Sequence, residues 1–343
     1  MKKEEGKTGV GSVLKKSVWK LVFLVIVIIV IWLTLKDSWE EIWSELNHTS
    51  WKIIAGVFSL SILYNCFDGI AVAKLVRNYA PGFAWQDGIL CSFYYSFFRV
   101  VTFGSGTAAA GMYYVNKKGI PVSASLGIFT LNYTVQRVAI CLYFIFGFLS
   151  NYGEMNHQYG GYQKEMILGS VLAVVTVAVL IIFCTYRPLH KKILALARRA
   201  AQKETQREKI DEWEEKAVLV RTEAYRVLKN RKLLLNVIML NFLKLSMWYF
   251  IPAVVFQMLN SPKLSMLMSV AAMMTALSGV IPAPGGVGAV EFVFVLLFTP
   301  LVGRTKAASG MLIYRFSTYI LPFLFGAVVV LKTQVLSKRK EEK

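Results

Sequence analysis

Apolar runs long enough to cross a bilayer recur along this chain, and they constrain its fold more than any other feature. They fall near 18–35, 51–74, 122–150, 166–185, 233–258 and 308–331. A membrane-crossing helix needs ~20 mostly apolar residues, and several of these runs approach or exceed that length. Only 17% of residues are charged, against roughly 25% in soluble domains. The fold class is therefore an all-α integral membrane protein.

The net charge of +19 would suggest nucleic acid as the partner of a soluble protein. Here it has a topological reading, because Lys and Arg collect on the cytoplasmic side of membrane proteins. No DNA-binding motif is present, so no nucleic-acid partner is expected. Cys66, Cys91, Cys141 and Cys184 lie in or beside apolar runs without a CxxC spacing, and His48, His157 and His190 are scattered. That pattern predicts packing cysteines, no metal site and no cofactor. The first apolar run follows a basic start, which raises a signal peptide as the alternative. Its length, and "KDSWEE" in place of a small-residue cleavage site, favour a retained helix.

Charge places the spans. The segment 187–232 holds fourteen Lys/Arg against seven Asp/Glu and reads as a cytoplasmic insertion. Its apolar residues recur at helical spacing, which predicts amphipathic helix on the membrane surface. The N-terminus (1–17) and the tail (332–343) are also basic and read as cytoplasmic. Walking from these anchors, 86–116 must begin and end inside, and 265–303 must begin and end outside. Each is then a hairpin with short arms. The bends carry glycine, "TFGSGTAAAG" (Gly104, Gly106) and "PAPGGVG" (Pro282, Pro284, Gly285, Gly286, Gly288). Short, Gly/Pro-broken segments at corresponding positions point to a transport site. Arm length favours re-entrant hairpins over spanning ones. "GRTK" at 303–306 would then be external and basic, against the trend.

The two membrane halves, 18–150 and 166–331, each read helix, helix, hairpin, helix, in opposite orientations. This is the pattern of an inverted repeat with two opposed re-entrant hairpins. Gly106 aligns with Gly286, and "QRVAICLYFIFG" echoes "YRFSTYILPFLFG", setting Arg137 opposite Arg315.

Ionisable residues inside a membrane are functional candidates by default. Asp68, Arg99, Arg137, Lys244, Glu291 and Arg315 fall in apolar stretches. Four cations against two anions leave positive charge to balance, and a lipid phosphate would match the planar fork of an arginine. Arg99, Arg137, Arg315 and Lys244 are the candidate substrate-binding residues; Glu291 and Asp68 are the candidates for coupling or gating. The alternative readings pair Arg137 and Arg315 with Asp68 and Glu291, let Lys244 snorkel to the surface, and leave Asp68 partly buried. Helix N-termini at the bends would add N–H groups for the same anion.

"ALSGVIPAPGGVGAVEFVFV" followed by "YRFSTYILPFLFG" resembles the lysylphosphatidylglycerol synthase transmembrane family, the flippase-like part of the multiple peptide resistance factor. Pro282, Pro284, Gly285, Gly286, Gly288, Glu291 and Arg315 match that family's second-half motif. "YYVNKKGIP" is similar to its first-half turn, whereas "GSGTAAAG" departs from the polar or acidic residues that many relatives carry there. The resemblance implies movement of lipids with charged or sugar-bearing headgroups between the leaflets of a bacterial plasma membrane. Fused members continue into a cytosolic aminoacyl-transferase domain. This chain ends a dozen residues after its last apolar run, so a stand-alone flippase-like protein is expected, with any aminoacylated lipid made elsewhere.

Three functions follow from these readings. The first is a translocase for an anionic, aminoacyl-, glyco- or polyprenyl-phosphate-linked lipid, either gradient-coupled or downhill. No Walker A loop is present, since "PGGVGAVE" lacks the Gly-Lys-Ser/Thr ending. The second is a non-transporting partner of a separate lipid synthase or glycosyltransferase. The third, a membrane transferase, is disfavoured because no Ser-His-Asp set or metal cluster is visible; the chain is read as a non-enzyme. The oligomeric state is not encoded in any pattern seen here.

Overall fold

The computed structural model describes residues 49–160, 204–258, 263–281, 283 and 286–341, with isolated positions at 44, 47 and between 171 and 199. The chain divides into Met1–His48 and Thr49–Lys343, and the numbered helices lie in the second unit. The helices expected at 18–35 and 166–185 lie outside or mostly outside the described residues, as do Pro282, Pro284 and Gly285.

All regular structure among the described residues is helical. In chain order the elements are α1 (Trp51–Tyr79), α2 (Trp85–Val101), α3 (Thr107–Asn116), α4 (Val122–Ser150), α5 (Tyr152–Tyr159), α6 (Glu204–Lys229), α7 (Arg231–Val255), α8 (Leu264–Ser278), α9 (Ala289–Val302) and α10 (Arg304–Arg315). A π-helical turn (Phe316–Ile320) joins α10 to α11 (Leu321–Glu341) without a break. Four helical stretches are long and apolar enough to cross a membrane: Trp51–Tyr79, Val122–Ser150, Arg231–Val255 and Arg304–Gln334. The protein is thus built as a multi-pass membrane protein.

The other membrane helices are short. At ~1.5 Å per residue, α2, α3, α8 and α9 are about 25, 15, 22 and 21 Å long, against a hydrocarbon core of ~30 Å. α2 packs back on α3, and α8 on α9. The first pair wedges between α1, α11 and α4; the second sits among α4, α7 and α10. α8 is apolar all round, as a helix enclosed by others should be: Met266, Leu267, Val270, Ala271, Ala272, Met273 and Met274 are all fully buried.

Both ends of the bundle are marked by contacts. At the basic end Lys118 pairs with Asp87 at 2.7 Å, Arg77 donates to the Phe83 carbonyl at 2.7 Å, and Arg226 stacks on Tyr79. At the opposite end Asn151 Nδ2 donates to Ser265 and Ser269 hydroxyls at 3.0 and 3.1 Å.

Several boundaries differ from those expected. The last helix starts at Arg304, not 308, because Gly303 (φ 83°) makes the whole turn and accepts the Ala307 N–H. "GRTK" is therefore a turn glycine and a first helical turn, not a loop. The same helix continues through the tail expected at 332–343, as far as Glu341. The loop expected after 150 contains α5, whose Tyr159 hydroxyl donates to the Leu297 carbonyl at 2.5 Å and ties α5 to α9. The 187–232 insertion supplies α6, which packs against α4 instead of lying wholly on the membrane surface; Ile210 and Val227 are buried.

Glycine permits a close crossing of α1 and α2. A Cβ on Gly69 of α1 would strike the backbone of Ile89, and one on Gly88 of α2 would strike the Gly69 carbonyl. Close backbone approach of this kind is what small residues permit in membranes. Gly69→Ala should cost about 1–3 kcal/mol through overpacking, read as a lowered thermal transition in detergent. Gly153→Ala, with open space at its Cβ position, should leave the transition unchanged. Equal shifts for both would contradict the packing assigned to the α1–α2 crossing.

Candidate functional site

Polar residues recur at helical spacing on three helices. α1 carries Ser61, Asn65 and Asp68; α2 carries Ser92, Tyr95, Ser96 and Arg99; α7 carries Asn241, Lys244 and Trp248. Positions three and four apart share a helix face, so each set forms one stripe. The stripes converge because α1 packs against both α2 and α7. Counted at ~1.5 Å per residue, Asp68, Lys244 and Arg99 lie roughly 16–21 Å from the basic ends of their helices. That depth is near the middle of a membrane.

Asp68 is the hub of the first cluster. Lys244 Nζ lies 2.5 Å from its Oδ1. The Tyr95 hydroxyl donates to Oδ2, and the Ser92 hydroxyl does so at 3.3 Å. Beside them, Ser96 donates to the Asn65 amide oxygen at 3.2 Å. The Lys244 side chain is 0% exposed and that of Asp68 is 8% exposed. Three of the alternative readings are overturned. Lys244 does not snorkel, because its charge is neutralised in place. Asp68 is not partly buried, and its cation is Lys244, not Arg137.

The second cluster surrounds the π turn. Pro322 has no N–H, so it withholds the donor that would serve the carbonyl of Thr318, or of Ser317 in the wider π register. The Leu321 N–H bonds the Phe316 carbonyl five residues back. Side chains of other helices fill the gap. The Ser61 hydroxyl donates to the Ser317 carbonyl at 2.5 Å, and Arg99 Nη2 donates to the Thr318 carbonyl at 2.9 Å. The last turn of α2 is thereby held to the middle of the last helix. The Arg99 guanidinium also lies 5.8 Å from the Trp248 ring centre and 5.9 Å from that of Tyr319. Trp248 stacks on Tyr64 at 3.8 Å, and Lys244 lies over Tyr64, so the two clusters are contiguous.

The second bend reaches the same turn from the other side. Arg315 Nε lies 2.5 Å from Glu291 Oε1, Nη2 donates to the Gly286 carbonyl at 3.3 Å, and its guanidinium lies 4.7 Å from the Tyr319 ring centre. Tyr319 therefore contacts both Arg99 and Arg315. Gly286 (φ 71°) and Gly288 (φ 84°) take backbone conformations that favour glycine. Glu291 also accepts the Gly288 N–H at 2.8 Å, closing the N-terminus of α9 with its own carboxylate. In the first bend Gly104 (φ 86°) makes the reversal, and Gly106 gives its N–H to Thr102 Oγ1 at 2.8 Å. One N–H at each of these two helix starts, that of Gly106 and that of Gly288, is thus taken by a side chain of the chain itself.

Arg137 lies 4.9 Å from the Tyr133 ring centre and packs its Nη1 over Gly279 at the C-terminal end of α8. Helix C-termini carry partial negative charge. Among the described residues, Asp68–Lys244 and Glu291–Arg315 are paired, and Arg99 and Arg137 have no carboxylate within ion-pair distance. Arg99 Nε, Trp248 Nε1 and the Tyr319 hydroxyl are buried without a hydrogen-bond partner. These donors sit on three side chains already in contact around Arg99. No group of three or more metal-ligating residues occurs among the described residues.

The model of the family described as "Lysylphosphatidylglycerol synthase TM region" matches residues 18–326. The chain belongs to this family. Comparison with curated proteins and with solved structures gives no match. The matched segment contains all six charged residues of the site, and it makes the protein a membrane domain of a family associated with lipid handling.

The six charged residues were legible one by one in the sequence, and the Glu291–Arg315 pairing was among the alternatives read there and is present; the Asp68–Lys244 pairing and the uncharged partners were missed. Ser61, Tyr95, Trp248 and Tyr319 were overlooked because polar and aromatic residues are unremarkable singly in an apolar helix. Their spacing of four or seven residues from Asp68, Arg99, Lys244 and Arg315 was the available signal. Pro322, in the middle of "YILPFLFG", signalled the break in the last helix.

Removing one partner of a buried ion pair strands the other charge, at a cost of about 3–5 kcal/mol. Asp68→Asn should therefore lower the thermal stability sharply, and adding Lys244→Met should recover most of the loss. A double variant no more stable than Asp68→Asn alone would contradict the pairing.

Proposed function

We propose that this chain is a lipid translocase, moving an anionic lipid between the leaflets of a membrane. Aminoacyl-, glyco- and polyprenyl-phosphate-linked lipids all fall within that class. The observation that carries the reading is Arg99. It is a membrane-depth guanidinium without a carboxylate among the described residues, and the buried Nε, indole N–H and phenol O–H donors around it lack acceptors. Buried donors require acceptors, and a headgroup phosphate offers several oxygens and the missing charge.

In this reading the two hairpins are re-entrant and opposed, with both bends stopping near mid-membrane at the π turn. The arms are too short to cross the core, which supports it. The two halves form an approximate inverted repeat. It is not strict, because Arg137 and Arg315 both face the second bend. The phosphate would sit against Arg99 and draw on Arg315 by competing with Glu291. Exchange of Arg315 between Glu291 and the phosphate would link occupancy to movement of α9. Asp68 and Lys244 would act as a fixed hinge between α1 and α7, since each neutralises the other. The excess of Lys and Arg at one end supports a cytoplasmic setting for that end under the positive-inside rule, and in this reading both termini lie on that side of a bacterial plasma membrane.

A second reading is favoured by α6. Trp213 and Tyr225 are exposed on it, and such aromatics are common at protein interfaces. The chain would then recruit a lipid synthase or glycosyltransferase without transporting lipid itself.

Liposomes carrying the purified protein should move a labelled phosphatidylglycerol between leaflets faster than empty liposomes. Arg99→Gln removes charge-assisted hydrogen bonds of about 1.5–3 kcal/mol and should slow movement on the order of tenfold or more. Arg315→Ala and Glu291→Gln should also impair it. Wild-type protein that moves no lipid would sink the translocase reading and leave the recruitment reading, for which residues 187–232 are the segment to delete.

A further inference from the structure

The groove between α1 and α7 at the basic end changes character along its length. Its membrane half is a cleft of about 500 Å³ walled by Ile70, Met239, Leu240 and Leu243. Met239 and Leu243 are exposed on its side, so this half opens sideways to hydrocarbon. Lys74 and Trp85 stand at its mouth. The Lys74 ammonium lies 5.9 Å from the Trp85 ring centre and the Arg77 guanidinium 4.8 Å. A tryptophan fixed between cations is the side chain expected at headgroup level.

One helical turn further along α1 from Lys74 comes Asn78, which lines a second hollow of about 700 Å³ with Arg226, Lys229, Asn230 and Arg231. Among the described residues, neither hollow is lined by a carboxylate. The two share α1 and α7 as walls. Taken in order along α1 and α7, the two neighbouring hollows go from a mostly apolar wall, with Asn236 and Ser246 its uncharged polar members, through one cation and an interfacial aromatic, to a basin with three more cations. That order matches a phospholipid laid along them: acyl chain, phosphate, charged headgroup.

We propose that this groove binds an anionic glycerophospholipid of the adjoining leaflet and is where a lipid loads before translocation. The loading role rests on the translocase reading above; the binding does not. The acyl chain occupies the cleft beside Met239 and Leu243. The phosphate meets Lys74, and the basin holds the remaining negative charge. A soluble anion would use the basin alone and gain nothing from an apolar half open to lipid. Phe242 gives the loaded lipid a direction. It lines this cleft and also a second one of about 370 Å³ toward the opposite end, beside Gly147, Ser150 and Ser269. The ring of Phe242 stacks on Tyr143 at 5.8 Å, so one aromatic pair stands between the two clefts.

The test uses full-length protein in nanodiscs of equimolar phosphatidylglycerol and phosphatidylcholine. The protein is transferred to mild detergent, and the lipid it retains is identified by mass spectrometry. Wild-type protein should retain phosphatidylglycerol in preference. Lys74→Gln and Arg231→Gln should each reduce that preference about fivefold, the effect of one basic side chain at a membrane surface. Lys74→Arg should keep it, which separates lost charge from lost fold. Met239→Trp, which fills the cleft, should lower retention of phosphatidylglycerol with all cations in place. Unchanged preference in Lys74→Gln, or full displacement of the lipid by inorganic phosphate, would overturn the site. Lost retention with wild-type lipid movement in liposomes would overturn the loading role while the translocase reading stands. Selective retention by wild-type protein that moves no lipid would keep the binding site and remove the translocase.

Discussion

A proline in the middle of the last membrane helix dictates much of this architecture. Within hydrocarbon, backbone groups must find partners inside the protein, because no water can serve them. Pro322 cannot donate to the turn before it, and the helix widens there into a π turn, a feature often found at functional sites. The carbonyls of Ser317 and Thr318 are then served by Ser61 and Arg99. These two bonds bring α1 and the first bend to one point on the last helix. The second bend reaches the same point through Arg315, which lies within the turn preceding the π segment. One missing N–H thus gathers three separate parts of the chain at membrane depth.

Charge is arranged around that point unevenly. Asp68 and Lys244 neutralise each other in full burial, and such a pair contributes little net stability while being costly to break. Glu291 and Arg315 are more exposed, at 27% and 13% of their side chains, and they share partners with the bend. The first pair suits a fixed structural contact and the second suits one that exchanges. Arg99 has neither kind of anion among the described residues. Its positive charge at this depth is the property that distinguishes the site from a set of structural ion pairs.

Much of this was legible in the sequence, residue by residue. Apolar length located the four long helices that are described, and the short glycine-bearing segments located both bends. The six charged residues stood out because such groups are rare in apolar helices. The Glu291–Arg315 pairing was one of the alternatives the sequence offered, but the Asp68–Lys244 pairing was not legible. Lys244 and Asp68 are 176 positions apart, and only the packing of α7 on α1 brings them together. Arg137 was as reasonable a partner for Asp68 on composition alone. Tyr95 and Ser61 were hidden for a different reason: a lone hydroxyl in an apolar helix normally bonds its own backbone, as Ser59 does with the Ala55 carbonyl. The short helix α5 was missed because its composition is polar, and its place depends on Met155 and Tyr159 being buried.

Depth of the two bends tests the central claim most directly, namely that both stop inside the membrane at one level. Spin labels at Ser105 and at Val287, both exposed positions in the bends, can be placed in a chain freed of its four native cysteines. Their collision rates with oxygen and with a water-soluble nickel complex give depth in liposomes. Both labels should report a similar position near the bilayer centre, shielded from the nickel complex. Labels lying at the two opposite water interfaces would show that the hairpins span the bilayer, and would contradict the account.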